Sequence, residues 1–474
     1  MGYIAAALNK NGEDTSETIL RMLQAASPRP ALSYGIADYR NAETCRKSEF
    51  TSHNYPVLLG SKNIFPEKYP PELLQQGDHS LVFNGILLDT QEPDSLAAAN
   101  TLKENPEKGI KNLIKERTGA YAIVSVTKDS IIAGIDHIGT ISLYYGENKT
   151  HAAIATNKKM LWSINIDPTP LKPGQIIKIQ TKNITIEQIK TLENQKPTPA
   201  TTEKLHETMT RTTEEYAKKT SKATVAFSGG IDSLLIAHYL QQSKVQLELI
   251  WTGLEDQPEQ SIAQEAADHL DLRLHIDTHT PEQVEETLDT IITSIEEPDP
   301  VKTGIAYPFH WASKKTHELG YTTMYSGNGA DELFAGYMRY LDKYLRGENP
   351  VQDIYRDIAD SYLQNFHRDA KTCLDQDTRL LLPFTQPSLI EYGLGIPLNQ
   401  KLPDNRKESR KKILRKLAIN QGIPEKLSNR PKKAAQYSSG VNKTLTKIAK
   451  KQGMSLRELT TKRYNGIRKE FSRE

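Results

Sequence analysis

Short stretches in which apolar and polar residues alternate are frequent in the first 190 residues of the chain. Ser80–Phe83, Ala120–Val126 and Gln175–Ile179 are three of them, and Gly, Asn and Asp residues separate them. Alternation with a period of two, bounded by turn residues, predicts strands. Glu17–Ala26 instead carries its apolar residues at helical spacing. We therefore expect residues 1–190 to form an α+β domain.

The pattern changes after residues 191–202 (TLENQKPTPATT), which offer little apolar surface and predict a linker. From Glu203 onward, strand-like and helix-like segments alternate, as in Thr224–Phe227, Asp232–Gln241, Leu247–Trp251 and Ser261–Leu270. Such alternation predicts a parallel sheet with helices on its faces. We therefore expect a second, α/β domain over residues 203–474.

Composition adds few constraints. The 474 residues carry a formal net charge of +2, which gives no general electrostatic reason to expect nucleic acid or a membrane as a partner. Val441–Glu474 holds ten Lys or Arg against three Glu, which we interpret as a solvated basic helix rather than a nucleic-acid patch. The two cysteines, Cys45 and Cys373, belong to no metal or redox motif. Together with the absence of a signal-peptide pattern or a membrane-spanning run, this predicts a cytoplasmic protein.

The strongest chemical signal is Ser228 to Ser233 (SGGIDS), which lies where a predicted strand ends and a helix begins. A glycine pair followed by a helix N-terminus forms a nest of backbone N–H groups for phosphate, and the two serines add hydroxyl donors. Asp232 would be repelled by phosphate but is well placed to hold Mg²⁺ beside it. Because no GxxxxGK[ST] sequence is present, cleavage of ATP to AMP and pyrophosphate fits better than γ-phosphoryl transfer. The alternative is a helix cap without chemistry.

A second glycine-rich turn, Ser326 to Tyr337 (SGNGADELFAGY), follows another predicted strand at Gly320–Met324. It repeats the order of strand, turn, acidic residue and helix, and Asp331 takes the place of the acid. Alone, this turn too could be a helix cap. Together, the two turns predict a magnesium site formed by Asp232 and Asp331.

At these residues the chain resembles the glutamine-dependent asparagine synthetases and their relatives, which include the β-lactam synthetases and lasso-peptide cyclases. The resemblance runs nearly end to end, through SGGxDS, SGxGADELFGGY (with Asn328 and Ala335 as departures), EEPD at 296–299, SK at 313–314 and a late RxK loop at 430–432. It implies an N-terminal nucleophile hydrolase-like sandwich followed by a PP-loop parallel-sheet domain. It also implies that Ser228, Gly229, Gly230, Asp232, Ser233, Gly327 and Lys432 bind ATP and pyrophosphate, with Asp232, Asp331 and Lys432 as catalytic residues.

In this family the first domain is a glutaminase whose nucleophile is a cysteine at position two, but this sequence has Gly2. Asn84 and Gly85 resemble the family's oxyanion pair. However, the acidic residue that should follow is Ile86, and the stretch that should carry a carboxylate-binding arginine contains His53 and no arginine. Segments 136–145 and 171–174 still resemble the family's fold-defining turns. We therefore expect a glutaminase-like domain without glutaminase activity, retained for packing or for a binding role.

The resemblance implies an ATP- and Mg²⁺-dependent ligase that activates aspartate or a related acid as its adenylate and takes nitrogen from ammonia. A separate ammonia-supplying protein and a homodimer are possible partners. Asn328 stands where many members carry glutamate, and Thr385-Gln386 depart from the PFLD pattern, so both positions lack a carboxylate. Two alternatives stay open: intramolecular amide closure, as in β-lactam synthetases, and a catalytically silent ATP-binding protein.

Overall fold

The computed structural model describes residues 2–46, 53–64, 73–406, 408–430 and 439–472. The chain divides into two compact units, Met1–Leu192 with Tyr464–Glu474, and Glu193–Arg463. The last residues thus group with the first unit, whereas the sequence interpretation placed them in the second domain. Between the last strand of the first unit and the first helix of the second, residues 189–201 form no helix or strand.

In the part of Met1–Leu192 that the structure describes, the first unit contains two antiparallel sheets and four helices. One sheet has the order β11-β9-β10-β1-β4-β2-β3; its strands are β1 (Gly2–Asn9), β2 (Ser33–Ala37), β3 (Ala42–Cys45), β4 (Val57–Asn63), β9 (Tyr144–Glu147), β10 (His151–Ala155) and β11 (Thr169–Pro170). The other has the order β13-β12-β8-β7-β6-β5; its strands are β5 (Leu73–Gln76), β6 (His79–Leu87), β7 (Gly119–Val126), β8 (Ser130–Ile135), β12 (Gln175–Gln180) and β13 (Asn183–Gln188). The helices are α1 (Ser16–Ala26), α2 (Asp94–Leu102), α3 (Pro106–Glu116) and α4 (Lys158–Trp162).

The two sheets pack face to face over a shared apolar core. Inward-facing residues of both sheets form one cluster, which includes Ile4 of β1, Leu59 of β4, Val124 of β7 and Ile177 of β12. Helices α1 and α4 cover the outer face of the first sheet, and α2 and α3 cover the outer face of the second. The α+β sandwich expected from the sequence is confirmed. Strand β1 is buried along its whole length because it is central in its sheet and covered on both faces.

The second unit is built on a five-stranded sheet whose paired strands are all parallel, with the order β16-β15-β14-β17-β18. Its strands are β14 (Lys222–Ala226), β15 (Gln246–Leu254), β16 (Leu274–His279), β17 (Thr323–Tyr325) and β18 (Arg379–Leu381). Its helices are α5 (Thr202–Ala217), α6 (Ile231–Gln242), α7 (Glu259–Leu270), α8 (Pro281–Ile295), α9 (Pro300–Glu318), α10 (Ala330–Leu333), α11 (Met338–Leu345), α12 (Val351–Ser361), α13 (His367–Leu374), α14 (Pro387–Leu394), α15 (Leu398–Lys401), α16 (Lys412–Asn420), α17 (Glu425–Ser428) and α18 (Val441–Lys451). A π-helical turn, Tyr362–Phe366, and a 3₁₀ turn, Pro383–Thr385, complete it. The predicted parallel α/β sheet is confirmed.

The basic C-terminal segment forms α18 and a final helix, α19 (Leu456–Phe471). Lys443, Lys447, Lys450 and Lys451 of α18 are exposed. Helix α18 packs on α8, whose exposed side carries several acidic residues, and Arg463 of α19 pairs with Asp289 there. Within the described residues, no helix is both long enough and apolar enough to cross a membrane.

Candidate functional site

The loop after β14, which the sequence predicts to be a phosphate nest, combines a left-handed glycine with the start of a helix. Gly229 takes a left-handed φ of +68°, a backbone conformation that favours glycine, and Gly230 precedes the first turn of α6. A Cβ at Gly229 would lie 3.0 Å from the Ile262 carbonyl oxygen of α7, so the loop also packs too closely for a side chain there. The Ser233 hydroxyl lies 3.3 Å from the Ser228 backbone N–H, which holds the loop closed. Ser228 itself is exposed.

The second glycine-rich turn lies directly beside the first. Strand β17 pairs in parallel with β14, with Thr224 opposite Met324, so their carboxyl ends reach the same edge of the sheet. A Cβ at Gly327 would lie 2.7 Å from the Cβ of Asp232. Only a glycine therefore allows the two turns to touch, and the contact places Asp232 next to the segment that carries Asp331.

Lys411 joins the two carboxylates. Its Nζ donates hydrogen bonds to both carboxylate oxygens of Asp232, at 2.5 and 2.6 Å, and makes an ion pair with Oδ1 of Asp331 at 2.7 Å. The Lys411 side chain is only 2% exposed. Burial lowers its pKa, and the Asp232 carboxylate opposes that shift. Two carboxylates from separate motifs thus converge on one cationic atom, the Lys411 Nζ.

The backbone around Lys411 is specialised for this position. Lys411 has a φ of +64°, uncommon for a residue with a side chain, and it immediately precedes α16. A Cβ at Gly336 would lie 1.9 Å from Oδ1 of Asp331 and 2.4 Å from Cε of Lys411, so Gly336 provides the space for both side chains. Sequence reasoning missed Lys411. The signal was a lysine pair at the start of a helix, where the helix dipole disfavours positive charge.

Asn328 is anchored by a buried ion pair. Its Nδ2 donates to Oδ2 of Asp369 at 2.5 Å, and Arg368 binds the same carboxylate through Nε at 2.7 Å and Nη2 at 2.8 Å. Asp369 is fully buried and Arg368 is 4% exposed. Burial raises the pKa of Asp369, against the opposing effect of Arg368. The Asp369 carboxylate can accept a hydrogen bond only from the amide nitrogen of Asn328, so Oδ1 of Asn328 points away from Asp369.

Lys432 lies outside the described residues, but both ends of the segment that contains it are held in place. On one side, Arg430 donates to the Ile262 carbonyl at 3.1 Å and pairs with Glu265 of α7. On the other side, the Ser439 carbonyl accepts from Leu254 at the carboxyl end of β15. Since Ile262 also touches the Gly229 turn, the segment starts beside the phosphate nest.

A buried arginine fixes the approach to this segment. Arg415 of α16 donates to the carbonyls of Ser428, Arg430 and, at 2.6 Å, Arg410. Burial lowers the pKa of Arg415 to about 10, although Asp232 raises it. Arg415 therefore ties the helix that follows Lys411 to the residues that lead toward Lys432.

The EEPD segment at 296–299 has structural roles in this unit. Glu296 pairs with buried Lys371 at 2.8 Å, Glu297 pairs with Lys302 at 2.5 Å, and Asp299 caps the N-terminus of α9.

The two other segments of the resemblance are also structural. In the SK segment, the Ser313 hydroxyl donates to backbone carbonyls of α9, while Lys314 is exposed. Gln386, which replaces an expected carboxylate, caps α14 by accepting from two backbone N–H groups. We therefore assign no chemistry to these residues.

The residues of the first unit that resemble a glutaminase site leave little room for a side chain at position 2. Gly2 pairs with Asn63 across β1 and β4, and a Cβ at Gly2 would lie 2.2 Å from the Lys62 carbonyl oxygen. Asn84 donates its amide to the Gly2 carbonyl at 2.7 Å, and its buried Oδ1 has no hydrogen-bond partner among the residues that the structure describes. Gly85 has a φ of +146°. It has equally little room, since a Cβ added there would lie 2.2 Å from the Ala120 carbonyl oxygen. The Asn84 amide nitrogen thus binds the β1 backbone, while Gly85 lies in β6 opposite Tyr121 of β7.

The position expected to carry a carboxylate-binding arginine is occupied by an internal pair. His53 Nδ1 lies 2.9 Å from Oδ2 of Asp38, and both side chains are almost fully buried. Asp38 also accepts the backbone N–H groups of Arg40 and Asn41. The Asp38 carboxylate is therefore already bound by other groups of the protein.

Comparisons with known proteins agree with the resemblance. A family model described as asparagine synthase matches residues 204–381 and 352–473. A putative glutamine-hydrolysing asparagine synthetase of Methanocaldococcus jannaschii is 30% identical over 392 residues, which cover 72% of this chain and 72% of that protein. The human asparagine synthetase is 29% identical over 222 residues, 45% of this chain and 39% of the relative.

Two solved structures share parts of the architecture. The glutamine phosphoribosylpyrophosphate amidotransferase of Bacillus subtilis, complexed with ADP and GMP, is 14% identical with a TM-score of 0.36, over 58% of this chain and 65% of that chain. An NH₃-dependent NAD synthetase from Campylobacter jejuni, complexed with nitrate, is 20% identical with a TM-score of 0.23, over 29% and 61%. Likenesses of this size carry no argument about function.

Proposed function

The chain belongs to the asparagine synthase family of carbon–nitrogen ligases, and from that premise we propose that it activates a carboxylate with ATP and converts it to an amide. In the first step, a substrate carboxylate attacks the α-phosphorus of ATP, giving an acyl-adenylate and pyrophosphate. In the second, a nitrogen nucleophile displaces AMP. The observation that carries the proposal is the convergence of Asp232 and Asp331 on one cation position beside the loop from Ser228 to Ser233.

The residues present fit a nucleotide with Mg²⁺. The backbone of Gly229, Gly230 and Gly327, with the hydroxyls of Ser228 and Ser233, would hold the phosphates. Asp232 and Asp331 would hold the metal, since hard oxygen ligands suit Mg²⁺. The described residues contain no cluster of three or more metal-binding side chains, so water and phosphate oxygens would supply the remaining ligands. Bound there, Mg²⁺ would neutralise charge on the leaving pyrophosphate.

Two lysines supply positive charge in this proposal. Lys432 follows Arg430, which is bound next to the Gly229 turn, by two positions in the sequence. In this proposal its ammonium stabilises the departing pyrophosphate and the charge that develops at the adenylate. Once a metal ion takes the place of the Lys411 ammonium between the two carboxylates, that ammonium can stabilise negative charge on the nucleotide. Each cation stabilises charge that is greater in the transition state than in the ground state.

The nitrogen donor in this proposal is ammonia, because the first unit lacks the means to release it from glutamine. Gly2 offers no nucleophile, and Asn84 already donates its amide to the β1 backbone. In the second unit, Oδ1 of Asn328 is left to accept an N–H from the incoming nitrogen, since Asp369 binds the amide nitrogen. An amide cannot take the proton at neutral pH. The nucleophile must therefore arrive as neutral ammonia or an amine.

The test combines product analysis with one substitution. With Mg-ATP, ammonium and aspartate, the proposal expects AMP, pyrophosphate and asparagine in equal amounts, and Asp232→Asn should abolish all three. Asp271→Asn is a matched control, because Asp271 is an exposed residue that ends α7 in the left-handed conformation that asparagine tolerates. Far-ultraviolet circular dichroism of both variants distinguishes loss of chemistry from loss of fold. Full pyrophosphate release by Asp232→Asn would reject the site assignment.

The remaining outcomes point to other functions. Pyrophosphate release with some other acid from a metabolite panel, without dependence on ammonium, would indicate that the substrate carries its own amine. ATP binding without pyrophosphate under any condition would indicate a catalytically silent nucleotide-binding protein. Glutamate release from glutamine by the full chain would overturn the assignment of ammonia as the nitrogen source.

A further inference from the structure

Lys411 occupies the point where Asp232 and Asp331 come together. Three carboxylate oxygens lie within 2.7 Å of its Nζ, two from Asp232 and one from Asp331. A divalent cation bound by both aspartates would have to take this same point, because the carboxylates converge nowhere else in the contacts described. An ammonium and a metal ion cannot both fit there.

The lysine is held in this position by the protein. Its side chain is 2% exposed, its stem passes through the gap left by Gly336, and its backbone adopts the left-handed conformation. The left-handed conformation is unfavourable for a residue other than glycine, so surrounding contacts must offset its cost. The Asp232 contact is also bidentate, which gives the ammonium a defined geometry rather than a loose surface pairing.

Displacing Lys411 is unfavourable unless another anion receives it. The two carboxylates and the ammonium together carry one negative charge, and a divalent cation in place of the ammonium would leave a buried lysine without its partners. A buried charge that loses its partner is strongly destabilising. The phosphate oxygens of a bound nucleotide are the natural new acceptors, because Asp232 itself belongs to the Ser228–Ser233 loop that is proposed to hold them.

We infer that Lys411 and the metal ion exclude each other between Asp232 and Asp331, so that the metal enters the site together with the nucleotide and not before it. This rests on the proposed function for the identity of the nucleotide, but the exclusion itself concerns the nucleotide-free protein. Metal and nucleotide then bind cooperatively, and by linkage each raises the affinity of the other by the same factor.

The test measures Mn²⁺ binding to the full chain by electron paramagnetic resonance, without nucleotide. Lys411→Met keeps the length of the side chain and removes the charge, and Lys412→Met is a matched control at the next, partly exposed residue. We expect wild type and Lys412→Met to bind Mn²⁺ weakly and Lys411→Met to bind at least about tenfold more tightly. Adding Asp232→Asn to Lys411→Met should remove that gain. Equal affinities in wild type and Lys411→Met would overturn the inference.

A second measurement does not depend on the variant folding. In wild-type protein, Mg²⁺ alone should leave the melting temperature of the second unit unchanged, while Mg²⁺ with α,β-methylene-ATP should raise it. A rise with Mg²⁺ alone equal to that with both ligands would overturn the inference. If the nucleotide analogue has no effect but Lys411→Met still gains Mn²⁺ affinity, the proposed function fails and the exclusion stands.

Discussion

Replacing Gly2 by cysteine would restore the nucleophile that the family resemblance calls for, and the structure predicts that it would not restore the site. A Cβ on residue 2 would lie 2.2 Å from the Lys62 carbonyl oxygen, well inside the 3.0 Å that real Cβ contacts respect. The clashing atom belongs to the backbone of β4, which pairs with β1 from Gly2 to Leu8. Relief therefore requires the two strands to separate locally by about 1 Å, a sizeable part of the ~4.8 Å strand spacing.

The expected cost follows from that geometry. Forcing extra atoms into a packed interior costs about 1–3 kcal/mol, and the upper part of this range applies where backbone must move. For a unit of this size that corresponds to a drop of about 2–10 °C in melting temperature. Gly2→Ala should lower the melting temperature as much as Gly2→Cys does, because the Cβ and not the sulfur makes the contact.

The assay is differential scanning calorimetry of the full chain, read at the transition of the first unit, together with glutamate release from glutamine. Gly466→Ala is the matched control: it lies within α19, nothing would contact its Cβ within 4 Å, and it should stabilise by about 0.5–1 kcal/mol. If Gly2→Cys melts like wild type and releases glutamate, the lack of room at position 2 described above is wrong.

Two further substitutions test buried charge. Asn328→Asp would set a second carboxylate against Asp369 and should lower the free energy of unfolding of the second unit by at least about 2 kcal/mol. Adding Asp369→Asn should recover part of that loss. Strictly additive losses in urea unfolding would contradict the contact between the two residues. In the first unit, burial raises the pKa of Asp136 to about 6 against the pull of three backbone N–H groups. Because the unfolded pKa is about 3.9, the folded state binds the proton more tightly, so wild type should lose up to about 3 kcal/mol relative to Asp136→Asn as pH rises from about 4 to 6. Parallel stability profiles of the two proteins over that range would contradict this.

The elements that sequence reasoning located best are those with strong periodicity. Glu17–Ala26 corresponds to α1 at Ser16–Ala26, and Asp232–Gln241 to α6 at Ile231–Gln242. The position of the Ser228–Ser233 loop at a strand-to-helix junction was also predicted correctly, since it lies between β14 and α6, while its phosphate-binding role stays a prediction. Local sequence determines such features almost completely.

Contacts between distant residues were not predictable. Lys411 reaches Asp232 across 179 positions, and Asp369 reaches Asn328 across 41. Neither lies in a motif with a mechanism of its own, and only the folded sheet brings them together. The closure around Gly2 was likewise invisible, since the sequence shows the absent nucleophile but not the Lys62 carbonyl that occupies its space.

Helix α16 holds two of the charges discussed above at a fixed separation. Lys411 immediately precedes it, and Arg415, about one turn further on, binds the carbonyls of Ser428 and Arg430. Because one short helix bears on both the point where Asp232 and Asp331 meet and the start of the segment that contains Lys432, its rotation or shift changes both at once. The changes in the free energy of unfolding that substitutions at Lys411 and at Arg415 cause should therefore not be additive. Through this helix, a substitution in one half of the site also affects the other half.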